Sequence, residues 1–333
     1  MTKGRMTYID VVAGIMIIWM ILGHCRHFSS YQLPFPNYLA FYMPWFFYKS
    51  GLFFNTKENK DLLRNDVAKY LRFFLVYSFI GWVVWSICGL LDDSILLKDC
   101  FVKPINTFAK SGCIKGNGAL WFLLSLFIVR QIANVILKNC NKHIPIFTIP
   151  IISFFCFVAA YLLYANRWYS HSWWIGNILS GLCFFLLGYW LRDKEKRTRL
   201  FIISVLVYFS IVFASSANLI DGFPYLYMHA NKMYSGNYLL FFPMALAGII
   251  MTNNVFRYLC KHMNIRIFEY VGQNSMNFYV THWILFTIVV FVAKYFFDIV
   301  HQTSLMLLLV VTSVVILPLL SMLINSLKTK YGI

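Results

Sequence analysis

Apolar runs of about twenty residues recur along this chain, separated by short polar stretches. As helices, such runs match the roughly 30 Å hydrocarbon core of a bilayer. Ten are predicted, near residues 8–25, 36–54, 70–91, 119–137, 144–164, 173–191, 200–217, 237–252, 272–297 and 303–326. The second is the least regular, because Pro36, Pro44 and Lys49 interrupt it, and the eighth is short and carries Pro243 and Gly248. The expected fold class is all-α, a polytopic integral membrane protein with about ten transmembrane helices. The longest intervening stretch, residues 92–118, is too short for a soluble domain, so residues 1–333 read as a single transmembrane domain with no appended module. The first segment is too long, and too polar at its far end, for a cleaved signal peptide.

Composition agrees with this pattern and excludes a soluble enzyme. The 333 residues are 60% hydrophobic and 12% charged, with a mean hydropathy of +0.67. The net charge of +17 is unevenly placed. Lys and Arg gather on cytoplasmic segments of membrane proteins. With the N-terminus inside, those segments hold Lys3, Arg5, Lys57, Lys60, Arg64, Lys69, Arg72, Lys138 and Lys142. They also hold Arg192, Lys194, Lys196, Arg197, Arg199, Arg257, Lys261, Arg266, Lys328 and Lys330. The other side holds only Arg26, Lys98, Lys103, Lys110, Lys115, Arg167 and Lys232. Both termini are therefore expected in the cytoplasm. The basic balance is explained by topology and anionic membrane lipid rather than by nucleic acid.

The first segment carries the chemistry. It holds Asp10 and His24 within an otherwise apolar run. Ionisable side chains inside a span cost a few kcal/mol or more and usually face a cavity where they act. At about 1.5 Å per residue the two lie about 21 Å apart along one helix, too far for a hydrogen bond between them. A base held deep in the membrane suits either a membrane-embedded enzyme or a transporter with a proton relay. Cys88, Cys140, Cys156, Cys183 and Cys260 read as small apolar residues, whereas Cys100 and Cys113 share an outer loop and can pair. His24 and His27 are followed by no carboxylate, so no metal site is expected, and no phosphate-cradling Gly-rich loop occurs.

Four further segments complete a set: Phe41-Tyr-Met-Pro-Trp-Phe-Phe-Tyr-Lys-Ser50-Gly51, Gly118-Ala-Leu-Trp121-Phe122, Phe184-Phe-Leu-Leu-Gly188-Tyr and Gly272-Gln-Asn274-Ser275-Met-Asn-Phe-Tyr279-Val-Thr-His282. With Asp10, Gly14 and His24, in order from residue 5 to about residue 285, the set resembles the membrane-bound acyltransferase family 3. These are bacterial inner-membrane enzymes that O-acylate sugars and glycans. Two positions depart from the family pattern. Tyr42 replaces a His, and Ala13 replaces a Lys or Arg that would share a helix face with His24.

The resemblance implies acyl transfer from a thioester, expected to be acetyl-CoA, to a hydroxyl of a glycan or lipid-linked sugar, in the bacterial inner membrane. His24 is the expected base, since His titrates nearest neutral pH, and Asp10 is an orienting partner near the inner face. Ser275, Tyr279 and His282 are spaced to share one helix face and would line the acceptor cavity, with Asn274 capping their helix and Trp121 forming a wall. Ser50 would bind substrate, and Arg64, Lys69 and Arg72 would meet the coenzyme A phosphates from the cytoplasm. Ala13 leaves open an inactive relative that binds acyl-CoA or lipid without turnover, or a role for Lys49 as the missing cation.

Overall fold

The first apolar run folds as helix α1, Thr7–Ser29, and of the long apolar helices it is the most enclosed by its neighbours. The structure is a computed structural model of the chain. It describes residues 6–31, 39–142, 145–165, 173–228, 232–233 and 237–331. Residues 36–38 of the second expected segment and residue 144 of the fifth lie outside the described residues, as do Lys3, Arg5 and Arg167.

After α1 come α2 (Tyr42–Leu52) and α3 (Asn59–Asp66), which runs through a π-helical turn, Val67–Leu71, into α4 (Arg72–Leu91). α5 is Asp99–Ser111, and a 3₁₀ turn at Gly118–Leu120 leads into α6 (Trp121–Lys142). α7 (Thr148–Ala165), α8 (Trp173–Leu191) and α9 (Thr198–Ser216) follow. The two-residue strands β1 (Leu226–Tyr227) and β2 (Lys232–Met233) pair antiparallel, Leu226 opposite Met233. The chain then forms α10 (Tyr238–His262), α11 (Arg266–Gln273), α12 (Ser275–Phe297) and α13 (Gln302–Tyr331).

The all-helical expectation holds, but ten full spans are not what the described residues contain. Seven helices are long and apolar enough to cross a bilayer: α1, the continuous Asn59–Leu91 rod, α6, α9, α10, α12 and α13. The apolar parts of α7 and α8 are shorter, Thr148–Leu163 and Ile175–Leu191. The second segment makes only the eleven residues of α2, about 16 Å of helix. Pro44 sits in its first turn, where a missing N–H costs nothing. Two expectations about loops also change. The basic stretch from Asn59 to Arg72 is helical, and the eighth segment runs on to His262, bringing Asn253, Asn254 and Arg257 into α10.

Two reciprocal glycine contacts hold the centre together. A Cβ at Gly14 of α1 would run into the backbone carbonyl of Phe268 in α11, and one at Gly272 would run into that of Asp10. Gly51 of α2 meets the carbonyl of Phe185 in α8 in the same way, and Gly188 meets that of Tyr48. Glycine lets helix backbones approach this closely in a membrane, where dispersion rather than water exclusion drives association. Three of these four glycines stand in the motifs read from the sequence, and the fourth is the Gly of the first helix, so their first duty is packing. Outward faces such as Leu75, Phe79, Ile202, Leu206, Phe209, Val311 and Val314 stay exposed, as lipid-facing residues do.

Cys100 and Cys113 are both buried, and no disulfide joins them. Cys113 Sγ lies 3.1 Å from Ser111 Oγ, and Cys100 Sγ points to the carbonyl of Leu96 at 4.0 Å. The two sulfurs thus have separate polar neighbours rather than each other.

Candidate active site

His24 Nδ1 and His282 Nε2 lie 2.7 Å apart. The two rings are parallel within 2° with centroids 4.9 Å apart. A nitrogen–nitrogen distance so much shorter than the centroid distance means rings meeting edge to edge in one plane, not stacked faces. The hydrogen positions follow from the next bond. His282 Nδ1 lies 3.1 Å from the carbonyl oxygen of Phe278, which can only accept, so Nδ1 carries the proton. In the neutral ring Nε2 is then an acceptor, and His24 donates to it from Nδ1. The lone pair of His24 is left on Nε2. His282 is fully buried, whereas His24 is only partly so. The Trp283 ring stands edge-on to His24 at 4.9 Å and steadies it from the other side.

His24 faces a cavity of about 370 Å³. Its wall brings together the far end of α1 (Met20, His27, Phe28), Tyr42 and Met43 of α2, and Trp85 of α4. The Cys113–Gly116 loop, Trp121, and Tyr279, Trp283 and Thr287 of α12 also line it, with Thr107 of α5. Tyr279 donates its hydroxyl to the carbonyl of Ala119, and Asn117 Nδ2 donates to the carbonyl of Val280 at 3.1 Å. These bonds tie the start of α6 to α12. Gly118 packs closely on Trp283, where a Cβ would lie 3.0 Å from the indole ring. A cavity lined by aromatic faces, with the His24 lone pair beside it, can hold a sugar-like ring and take a proton from its hydroxyl.

Of the residues expected at the site, His24, His282, Tyr279 and Trp121 come together here. Asp10 does not. It is buried at the opposite end of α1, with its backbone against Gly272. Asn274 and Ser275 also sit at that opposite end. Asn274 makes no side-chain cap on α12. Its Nδ2 instead donates to the carbonyl of Tyr270 at 2.9 Å, and its Oδ1 accepts from Asn325 Nδ2 at 2.6 Å. Ser275 is half-buried as the first residue of α12 and is not part of the cavity wall. The stripe through Ser275, Tyr279 and His282 therefore divides, Tyr279 lining the cavity and His282 lying buried behind it against His24. Arg64, Lys69 and Arg72 are exposed along the basic rod, with Arg64 beside Lys57 and Asp61 in a shallow depression.

Ser50 belongs to a second polar centre. Its Oγ accepts from Arg130 Nη1 at 3.4 Å, while Arg130 Nε donates to Asp66 Oδ2 at 2.9 Å. Gln131 Nε2 donates to the same oxygen at 2.9 Å, and the guanidinium lies over the Phe54 and Tyr70 rings. Asp66→Ala leaves this enclosed cation without its carboxylate and is expected to cost about 3 kcal/mol or more. Thermal unfolding of the variant in detergent checks this, and an unchanged midpoint overturns it.

Sequence reasoning missed three features. Trp283, next to His282, carried no signal of its own. Glu195, in a loop read only for its cations, is 1% exposed. It accepts from Arg257 Nη2 and Tyr48 OH, each at 3.2 Å, while Arg257 Nη2 also donates to Tyr8 OH at 2.8 Å. Burial raises the Glu195 pKa, and the charge of Arg257 opposes that rise. This cluster places a cation at the Tyr8 end of α1, whereas Ala13 itself is fully buried and Lys49 Nζ lies 5.3 Å from the Trp45 ring centroid. Third, Asn277 Nδ2 donates to Asn325 Oδ1 at 2.9 Å and its Oδ1 accepts from Lys328 Nζ at 3.0 Å. With Asn274, that chain fastens the start of α12 to α13.

No curated protein and no solved structure matches the chain. The acyltransferase domain model of the acyltransferase 3 family matches residues 6–324, a span that takes in α1 with His24, α12 with His282, and every wall of the cavity between them. The chain belongs to the acyltransferase 3 family of membrane acyltransferases.

Proposed function

We propose that the protein is a membrane-embedded O-acyltransferase that moves an acetyl group from acetyl-CoA to a hydroxyl of a glycan or lipid-linked sugar. The observation that carries this reading is the His24–His282 pair, which leaves the lone pair of His24 on Nε2 beside an aromatic-walled cavity. In this mechanism His24 Nε2 takes the proton of the acceptor hydroxyl as its oxygen attacks the thioester carbonyl carbon. The carbon–sulfur bond then breaks, and the departing coenzyme A thiolate recovers the proton from His24. His282 acts through His24. By accepting from Nδ1 it fixes the ring orientation and steadies the imidazolium that forms, the part a carboxylate plays in a hydrolase triad.

The donor reaches this point from the other end of α1. Arg64, Lys69 and Arg72 line the basic rod and suit the phosphates of coenzyme A, and Ser50 with Arg130 lies on the same side of the bundle. Asp10 serves to position α1 against α11 at that end. In this reading the basic rod and both termini lie in the cytoplasm, which the cation distribution supports. As the family resemblance implies, the protein sits in a bacterial inner membrane with the acceptor cavity facing outward.

The reading is tested with the purified protein in proteoliposomes. Labelled acetyl-CoA is supplied on the basic side, and a panel of glycan and lipid-linked sugar acceptors on the other. Label appearing on an acceptor as a base-labile ester supports the proposal. Proton flux without ester formation would instead assign His24 to transport, and binding of acyl-CoA without turnover would mark an inactive relative. Within the active protein, His282→Ala is expected to lower kcat about tenfold or more with little change in the acceptor KM. His282→Gln, whose amide carbonyl can still accept from His24, should retain more activity than His282→Ala. Equal losses in the two variants would reduce His282 to a packing role.

A further inference from the structure

Between the end of α4 and the start of α6 the chain crosses the mouth of the cavity, and there it forms α5, Asp99–Ser111. Thirteen residues make about 20 Å of helix, short of the roughly 30 Å needed to span. Both flanking helices end on the cavity side of the bundle, so α5 lies at that membrane surface. Its surface divides into three arcs. Cys100, Pro104 and Ser111 are buried against the protein, with Thr107 beside them in the cavity wall. Phe101, Val102, Ile105 and Phe108 form a second arc and are 59%, 52%, 70% and 44% exposed. Asp99, Lys103, Asn106 and Lys110 form the third, with Lys103 Nζ 3.2 Å from Asp99 Oδ2.

The protein-facing arc is firmly attached. Pro104 has no N–H to give to the carbonyl of Cys100 one turn back, and Trp82 Nε1 of α4 donates to that oxygen at 2.7 Å instead. Thr107 and Ser111 return their hydroxyls to the carbonyls of Lys103 and Thr107. Those two bonds lie within α5, whereas turning its apolar arc inward would break the Trp82 bond and expose the buried Cys100 and Ser111. Four large apolar side chains facing water would be costly, and the neighbouring arc is too polar for the hydrocarbon. A helix lying in the plane of the headgroups satisfies both arcs at once, its lysines meeting lipid phosphates and its apolar face entering the acyl chains.

We infer that α5 is a membrane-surface helix whose Phe101–Val102–Ile105–Phe108 face is seated in the lipid leaflet on the cavity side. It carries Thr107, and directly after it come Cys113, Ile114 and Lys115, all in the cavity wall. The lipid surface thus sets the height of that wall, and the cavity opens at the level of the headgroups.

The inference is tested by spin-label accessibility in proteoliposomes of mixed neutral and anionic phospholipid, with labels at Ile105→Cys and Asn106→Cys. Signal from the native cysteines is subtracted using the unmutated protein. Oxygen, which concentrates in lipid, should relax the label at position 105, while an aqueous nickel chelate should relax the one at 106. The pair Phe101→Cys and Lys110→Cys repeats the comparison if either first variant fails to fold. Equal access of the chelate to both positions overturns the inference in favour of an aqueous helix. Shielding of position 105 from both oxygen and chelate overturns it in favour of a second protein copy on this face. Activity plays no part in the readout, so the result stands whatever reaction the cavity runs.

Discussion

His24→Ala leaves the helix bundle assembled and lowers acyl transfer about a hundredfold or more. The side chain is partly exposed to the cavity, so its loss removes contacts with His282 and Trp283 without opening a hole in the core. What it does remove is the Nε2 lone pair, the base to which the proposed mechanism gives the acceptor proton. Acetyl-CoA turnover by purified wild type and variant, alongside their thermal unfolding, separates the two effects. Near-wild-type turnover in a folded His24→Ala would end the assignment of His24 as the base.

Gly272→Val is expected to fail differently, by preventing α11 from seating on α1. Any Cβ at position 272 meets the backbone carbonyl of Asp10, and Gly14 meets that of Phe268 from the other side. The obstructing atoms are main chain, so no rotamer change relieves the clash, and the helices must separate along their whole contact. The cost should exceed the ~1–3 kcal/mol typical of overpacked cores. Detergent extraction followed by size-exclusion chromatography should show aggregated or degraded protein. A monodisperse Gly272→Val with wild-type unfolding would mean that the close contact is dispensable.

Much of the fold was legible because a bilayer constrains sequence harshly. Runs such as Thr7–Ser29 and Ser275–Phe297 are apolar throughout, and their helical state follows from the need to satisfy every backbone group inside hydrocarbon. What escaped was helix ends and short helices. α2 stops at Leu52, and α10 continues to His262 through Asn253, Asn254 and Arg257. Those polar residues read as loop until Glu195 and Tyr8 are seen to pair with Arg257. A hydropathy pattern cannot separate a charge that is partnered in the bundle from one that is solvated outside it.

The site was half legible for a related reason. His24 stood out as a lone imidazole in an apolar helix, and spacing put Ser275, Tyr279 and His282 on one face of α12. Spacing along one helix says nothing of what that face meets along its length. The chain of Asn274, Asn325, Asn277 and Lys328 claims the first turn, the cavity claims Tyr279, and His24 claims His282.

The sequence by itself determined that this protein is a helical membrane protein, that His24 lies deep in its first helix, and that its motifs are those of the acyltransferase 3 family. Only the tertiary structure decided that His282 is the neighbour of His24, that its Nε2 accepts because its Nδ1–H donates to the carbonyl of Phe278, and that the motif glycines serve backbone contact. The physical reason is one of range. Hydrophobicity and helical periodicity act over a few turns of chain and are written locally, whereas the tautomer of His24 is set by a hydrogen bond between residues 258 positions apart.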